Sequence, residues 1–253
     1  MTYIRMPLGR AQVAGMATAL PPITATVEEV WEALGRARGR RLPKLQGEEG
    51  ARTRYFAQPL TSLMERRTQS QQTNAYLDHA RVLARKVCCK ALERSGIAPS
   101  EVGLVIGVSC TGVVLPSLDA ELIPLLCLRP DVARLPITEL GCGGGVAGLA
   151  RGLDYLRAYP QRSVLLFAVE IPSLTFQPHD RSLDNLVAAV VFADGAGAVV
   201  LRGGDGSTGW ILEHAGTVLV PEGARHLGYE LRDGGLHVIL SRELPDVVEA
   251  HLR

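Results

Sequence analysis

No run of apolar residues in this sequence reaches the roughly 18 that a membrane span requires. The first ten residues, MTYIRMPLGR, lack the apolar core of a secretion signal. There is no CxxC pair and the count of five cysteines is odd, so neither a structural zinc site nor a disulfide framework is expected. Together these absences predict a cytoplasmic chain with reduced thiols, no metal and no membrane partner. An excess of one charge is missing too: 27 Lys and Arg stand against 26 Asp and Glu, a net charge of +1, so nothing points to nucleic acid. What is present is 47% hydrophobic and 21% charged over 253 residues, enough for a large buried core of ordinary enzyme composition.

Along the chain, AQVAGMATALPP reads as a small-residue strand stopped by two prolines. Thr24 to Gly35 reads as a helix, with Thr26 followed three residues later by Glu29 in the capping-box pattern. GRARGRRLPKLQGEEGARTRY is basic and broken by Pro43 and Gly47, which suits an exposed loop or short helix. From Thr73 to Arg94 the spacing of Tyr76, Ala80, Leu83, Val87 and Ala91 predicts a long amphipathic helix ended by Ser95-Gly96. VGLVIGVS and SVLLFAVE are near-continuous apolar runs, as strands buried on both faces would be. LDAELIPLLCL is helical, with Pro124 kinking it or confining it to short turns. LPITEL is a short strand before a glycine-opened helix that reaches about Tyr159. VAAVVFADG and AGAVVLRG read as two strands around an Asp194-Gly195 turn. Past the GGDGSTG linker, WILEHAGTVLV and LHVILS read as strands and ELPDVVEAHLR as a helix. The repeated strand–helix–strand order predicts an α/β fold with a mixed sheet covered by helices. One layered half is complete over residues 1–204, and a second is only begun over 205–253.

The stretch ELGCGGGVAGLARG carries the candidate chemistry, and it admits two readings. Gly143, Gly145 and Gly148 fit GxGxxG between a strand and a helix, with Glu170 ending the next strand, as an NAD-type dinucleotide site would have them. That reading gives Cys142 no task. In the other, Cys142 sits at a helix N-terminus, where the dipole and amide hydrogens stabilise thiolate. Gly143 to Gly145 clear space for a thioester carbonyl, and the same amides would hold developing negative charge. Such a thiol would attack an acyl thioester and carry the acyl group covalently. Cys88, Cys89 and Cys127 lie in or at the end of helices and are read as core residues. Cys110, ending a buried strand before Thr111-Gly112, is read as a pocket wall.

Four longer blocks then fall in order: SCTGVVLPSLD, ELGCGGGVAGLARGLDYL, VEIPSLTFQPHDRSLDNLVAAVVFADGAGAVVL and LGYELRDGGLHVILSRELP. From about Gln12 to Arg253 the sequence resembles the type III polyketide synthases, chalcone-synthase-like enzymes of the thiolase fold, and bacterial tetrahydroxynaphthalene synthases more than plant members. The resemblance implies a thiolase-like layered α/β fold. It implies an acyltransferase that uses coenzyme A thioesters, malonyl-CoA among them, with no bound cofactor and as a homodimer. Cys142 matches the nucleophile and Phe192 a gatekeeper between the CoA tunnel and the cavity. Cys110 and Thr175 match cavity-lining positions, and Tyr229 and Val238 fall where side chains set cavity volume. Leu115 matches a position that reaches across the dimer. Arg41 and Lys44 align with residues that contact CoA phosphates, while the third basic position of that cluster falls near Glu48.

The sequence departs from the family at its end. The family places a histidine, in a His-Pro-Gly-Gly context, and an asparagine opposite the cysteine, and no His-Pro pair occurs here. His79, His179, His214, His226, His237 and His251 are therefore read as surface or ordinary core residues. The expectation is a C-terminally truncated synthase with its nucleophile present, little condensation activity, and apolar surface exposed where a missing half or partner chain would pack. Rival readings are a fatty-acid-type ketoacyl synthase, a non-catalytic remnant that binds a complete synthase, and the NAD-dependent oxidoreductase.

Overall fold

The two most apolar runs of the sequence become the centre of the fold. The structure is a computed structural model and describes residues 9–37, 52–204 and 209–251. In chain order its first elements are β1 (Arg10–Ala19), β2 (Ile23–Thr26), α1 (Val27–Ala37), β3 (Thr53–Phe56) and α2 (Gln69–Ser95). Next come β4 (Val102–Val108), α3 (Leu118–Leu125), β5 (Ala133–Ile137), α4 (Gly144–Ala158) and β6 (Ser163–Glu170). The last are α5 (Leu183–Val191), β7 (Gly195–Gly204), β8 (Ile211–Leu212), β9 (Leu227–Arg232), β10 (Gly235–Leu240) and α6 (Leu244–His251). Two compact units divide them: Met1–Ala19, Ala80–Val169 and Ala196–Thr217 form the first, and Leu20–His79, Glu170–Gly195 and Val218–Arg253 the second.

Unit 1 is built on a six-stranded sheet in the order β5-β4-β6-β7-β1-β8. β4 runs parallel to both β5 and β6, while β1 pairs antiparallel with β7 and β8, so the sheet is mixed as expected. β4 and β6 are apolar along their length because they sit inside the sheet with both faces covered. Ile106, Leu153, Leu156, Val164 and Leu201 are all at most 1% exposed and form the core between sheet and α4. β5 is an edge strand, which suits a segment containing Pro136. Glycines set how closely helices approach this sheet. A Cβ on Gly15 of β1 would lie 2.5 Å from Ala91 O and 2.6 Å from Ser95 N of α2. In α4, Gly144, Gly148 and Gly152 form a stripe four residues apart that lies on Val108, Leu166 and Leu201.

In α2, the stripe of Tyr76, Ala80, Leu83, Val87 and Ala91 is buried as the periodicity requires. The helix ends at Gly96, whose φ of +67° is a glycine conformation. α3 is an eight-residue helix with Pro124 confined to its last turn. The strand expected over WILEHAGTVLV shrinks to Ile211–Leu212, the stretch that pairs with β1. Beyond it Val218 and Leu219 stand 83% and 91% exposed with no sheet to enter.

Unit 2 holds the antiparallel pair β2–β3, helices α1, α5 and α6, and the β9–β10 hairpin. The capping box forms as read: Glu29 N–H donates to Thr26 Oγ1 at 3.1 Å and Thr26 N–H to Glu29 Oε2 at 2.7 Å. The helix starts only at Val27, however, because Ile23–Thr26 pairs with Thr53–Phe56 as a strand, which also removes Thr53–Tyr55 from the expected loop. A second correction falls on VAAVVFADG. Leu183–Val191 is helix, capped by Ser182 Oγ accepting from Asn185 N–H at 3.2 Å. Leu186 and Val190, four apart, enter a core of Val30, Leu34, Phe56 and Leu63. A short apolar run rich in valine has no periodicity of its own, and the cap and the facing core decide it. β9, which no pattern in the sequence announced, pairs with β10 through Tyr229 opposite Val238.

Candidate active site

In open α/β sheets ligands gather beyond the carboxyl ends of the parallel strands. β4 and β5 end level with one another, Val108 opposite Ile137. Cys110 follows the first and Cys142 the second. Cys142 is exposed in the single turn Gly141–Gly143 that leads into α4. Gly141 has a φ of +51°, the left-handed conformation that turns the chain from strand to helix. A Cβ on Gly143 or Gly145 would meet nothing within 4 Å, so the sulfur stands at an open mouth. Gly144 has a different job, since a Cβ there would sit 2.6 Å from Val108 Cγ1. The GxGxxG spacing is thus explained by packing at Gly148 and open access at Gly143 and Gly145. The amides also differ from expectation. Gly143 N–H donates to Leu140 O at 3.1 Å and Gly144 N–H to Gly141 O, so neither is left to hold a developing oxyanion.

Cys110 is half-buried beside the buried Thr111. Leu115 is 96% exposed. Cys88 is buried on the α2 stripe as read, but Cys89, one position round the helix, is exposed. Cys127 is exposed as well, in a left-handed turn just past α3, so the core reading holds for Cys88 alone of the three. Unit 1 contains no asparagine and a single histidine, the exposed His214.

Four other residues of interest meet in unit 2. Phe192, Thr175 and Val238 line one cleft, together with Ser173, Asn185 and Ala189. Tyr229 OH lies 3.3 Å from Thr175 Oγ1, which also donates to Pro172 O at 2.9 Å. Phe192 ends α5, its N–H still donating to Ala188 O at 2.9 Å. The free volume is about 20 Å³, room for a guest no larger than water as the side chains stand. Sequence reasoning took Asp194 for a turn residue and missed its role. It is 1% exposed and accepts from Ala57 N–H at 2.7 Å, Ser173 N–H at 3.0 Å and Ser173 Oγ–H at 2.6 Å. Burial pushes its carboxyl up, against the pull of those donors. The only signal for it was an acid in the apolar run VVFADG.

The unit 2 histidines have local partners: His79 meets Gln58 at 3.3 Å, and His237 meets Asp180 at 3.2 Å. His226, buried, accepts from Arg225 Nε at 3.2 Å, and His251 meets Val247 O at 2.8 Å. His179 is exposed. Arg41, Lys44 and Glu48 lie outside the described residues. Among the described residues no three His, Cys, Asp or Glu side chains converge as a metal ion would need, and no helix is long and apolar enough to cross a membrane.

Comparison with known proteins identifies the fold and the family. Residues 57–205 match the profile of the chalcone and stilbene synthases, N-terminal domain. A 1,3,6,8-tetrahydroxynaphthalene synthase of Streptomyces peucetius subsp. caesius is 38% identical over 251 residues, 95% of this chain and 66% of its own length. The phloroglucinol synthase of Pseudomonas fluorescens is 30% identical over 196 residues, 78% of this chain and 56% of its own. The crystal structure of the tetrahydroxynaphthalene synthase of Streptomyces coelicolor A3(2), a bacterial type III polyketide synthase, superposes with a TM-score of 0.86 at 29% identity. That match covers 94% of this chain and 70% of the other. The fold is therefore the thiolase-like α/β fold of type III polyketide synthases. The chain belongs to the chalcone and stilbene synthase family. It spans 54% to 66% of the length of the curated tetrahydroxynaphthalene synthases it matches.

Proposed function

We propose that this chain carries the acyl-transfer half of a type III polyketide synthase reaction. The Cys142 thiolate attacks the carbonyl of an acyl-CoA starter, the C–S bond to coenzyme A breaks, and free CoA leaves with a proton. In the complete reaction malonyl-CoA then loses CO2 and its carbanion attacks the Cys-bound acyl group, forming a C–C bond and releasing the sulfur. Phe192, Thr175, Tyr229 and Val238 shape the space for the acyl chain, Cys110 adds a wall, and Arg41 and Lys44 bind the CoA phosphates. Coenzyme A thioesters are substrates and no cofactor is bound. The observation that carries this reading is an exposed thiol at the carboxyl end of parallel strands with glycines on either side.

The family match ends at residue 205, which supports taking 1–204 as one thiolase-like half and 205–253 as the opening of a second. The His-Pro-Gly-Gly context that the family resemblance sets opposite Cys142 does not occur in this sequence, so acylation is expected without efficient condensation. Losing an oxyanion donor costs about 10²–10³ in rate, and losing general acid–base help costs about 10²–10⁴. The test is intact-mass analysis after incubation with acyl-CoA. A mass gain equal to the acyl group, absent in Cys142→Ala, supports the proposal; an unmodified wild-type chain defeats it. Acyl groups taken only from an acyl carrier protein would favour a fatty-acid ketoacyl synthase.

A second reading has its own support in the exposed Leu115, Val218 and Leu219. In it the chain associates, as a homodimer in the cytoplasm or with a chain holding the second half, and acts through that partner. Size-exclusion chromatography alone and with a complete synthase decides it: a monomer in both runs removes this reading.

A further inference from the structure

The β9–β10 hairpin carries two of the four side chains gathered at the unit 2 cleft: Val238 lines it, and Tyr229 meets Thr175. A two-stranded sheet is weakly stable by itself, so whatever holds this one decides the shape of the cleft. One part of that hold is a single side chain, Gln177, which is 8% exposed. Its Nε2 donates to Thr175 O and to Leu236 O, both at 3.1 Å, and so joins the cleft segment to β10 through a single nitrogen. The Gln177 backbone is locked in turn. Its N–H donates to Asn185 Oδ1 at 3.2 Å, and its carbonyl accepts from Asn185 Nδ2 at 2.8 Å. Gly235 makes the approach possible, since its φ is +119° and a Cβ there would lie 3.1 Å from Gln177 Nε2. Two further contacts secure the strand: Leu240 N–H donates to Asp184 Oδ2 at 3.1 Å, and His237 meets Asp180.

We infer that Gln177 is a positioning residue for acyl-chain selection: by holding Thr175 and Leu236 together it fixes Val238 at the cleft wall and Tyr229 against Thr175, and so limits the acyl length the cleft accepts. The inference rests on the cleft being the acyl site, as proposed above. A primary amide suits the task because both acceptors are carbonyls in a buried place, where two N–H donors are needed and a charge would be unfavourable. Methionine has the same length and apolar body but no donor. Alanine removes the body as well.

The test uses the full chain as wild type, Gln177→Met and Gln177→Ala. Hydrogen exchange, followed by mass spectrometry, reads the 227–240 peptides against α4 as an internal reference. In both variants the hairpin amides exchange about tenfold faster while α4 is unchanged, as loss of local hydrogen bonds would give. Rates of Cys142 acylation are then compared for acetyl-, butyryl-, hexanoyl- and octanoyl-CoA. The preference shifts toward the longer groups in both variants, and it shifts in Gln177→Met even though the side chain is matched in size. Unchanged hairpin exchange, or a Gln177→Met chain that behaves as wild type, overturns the clamp. Equal slowing for all four thioesters overturns the selection role. A wild-type chain that none of the four acylates defeats the acyl-site reading and the selection role with it, while the exchange result judges the clamp separately.

Discussion

Ser173 and Asp194 are joined twice: the serine hydroxyl donates to Oδ2 at 2.6 Å and the serine amide to Oδ1 at 3.0 Å. Ala57 N–H adds a third bond, at 2.7 Å, from a residue 137 positions away in the chain. One carboxylate thereby ties β3, the segment after β6 and the FADG turn into a single wall beside Phe192. Asp194→Ala leaves these donors buried and unpaired, and a loss of about 2–4 kcal/mol is expected from the cost of unsatisfied buried groups. Asp194→Asn keeps one acceptor oxygen and should lose less. Urea unfolding of the two variants checks the order, and equal stability of Asp194→Ala and wild type would refute the role.

Thiol accessibility separates the five cysteines. Cys142, Cys89 and Cys127 are exposed and are expected to alkylate readily with iodoacetamide under native conditions. Cys88 is expected to stay unmodified until the chain unfolds, because burial, with help from neighbouring Cys89, pushes its thiol up. Peptide mapping after timed alkylation reads all of them at once. Early labelling of Cys88 would contradict the packing of α2.

Glycine does two jobs in this chain, and substitution distinguishes them. At Gly15 a methyl group collides with the α2 backbone at Ala91 and Ser95, which no side-chain rotation relieves. Gly15→Ala is expected to cost about 1–3 kcal/mol, the usual penalty of overpacking. At Gly143 a methyl meets nothing within 4 Å, so Gly143→Ala should change stability by no more than about 0.5 kcal/mol. Denaturation midpoints of the pair test the assignment, and a reversed order would show that the approach of α2 to β1 is wrongly placed.

Much of the framework was readable because it follows from local composition. β4 and β6 announce themselves as apolar runs that only a sheet interior can hide, and α2 by its stripe. The Thr26–Glu29 cap was equally legible, since both partners lie within one turn. α5 was not: its valines fit a strand as well as a helix, and what decides between them is Ser182 at one end and the core that Leu186 and Val190 enter. The Asp194 and Gln177 networks were invisible for a related reason. Their partners, Ala57 and Leu236, are far away in the chain, and no spacing rule connects them. Cys142 could be singled out from its glycines alone, whereas Phe192, Thr175, Tyr229 and Val238 came through family resemblance and would otherwise pass for core residues.

The Asp180–His237 pair gives the hairpin a pH dependence whose direction can be worked out. Burial acts to raise the Asp180 carboxyl, but hydrogen bonds from Ser182 and His237 and the attraction of His237 outweigh it, and the group is held below its ordinary 3.8. A carboxyl lowered on folding adds stability that is fully present above the unfolded-state value, and it is lost as pH falls through the folded-state value. Wild type and Asp180→Asn should therefore differ in unfolding free energy by an amount that is fully developed near pH 5. Below about pH 3.8 the difference should shrink, as the wild-type carboxylate takes up its proton. The measurement is urea unfolding at half-unit intervals from pH 6 to pH 2.5. A gap that widens with acid would mean that the pair opposes folding rather than supporting it.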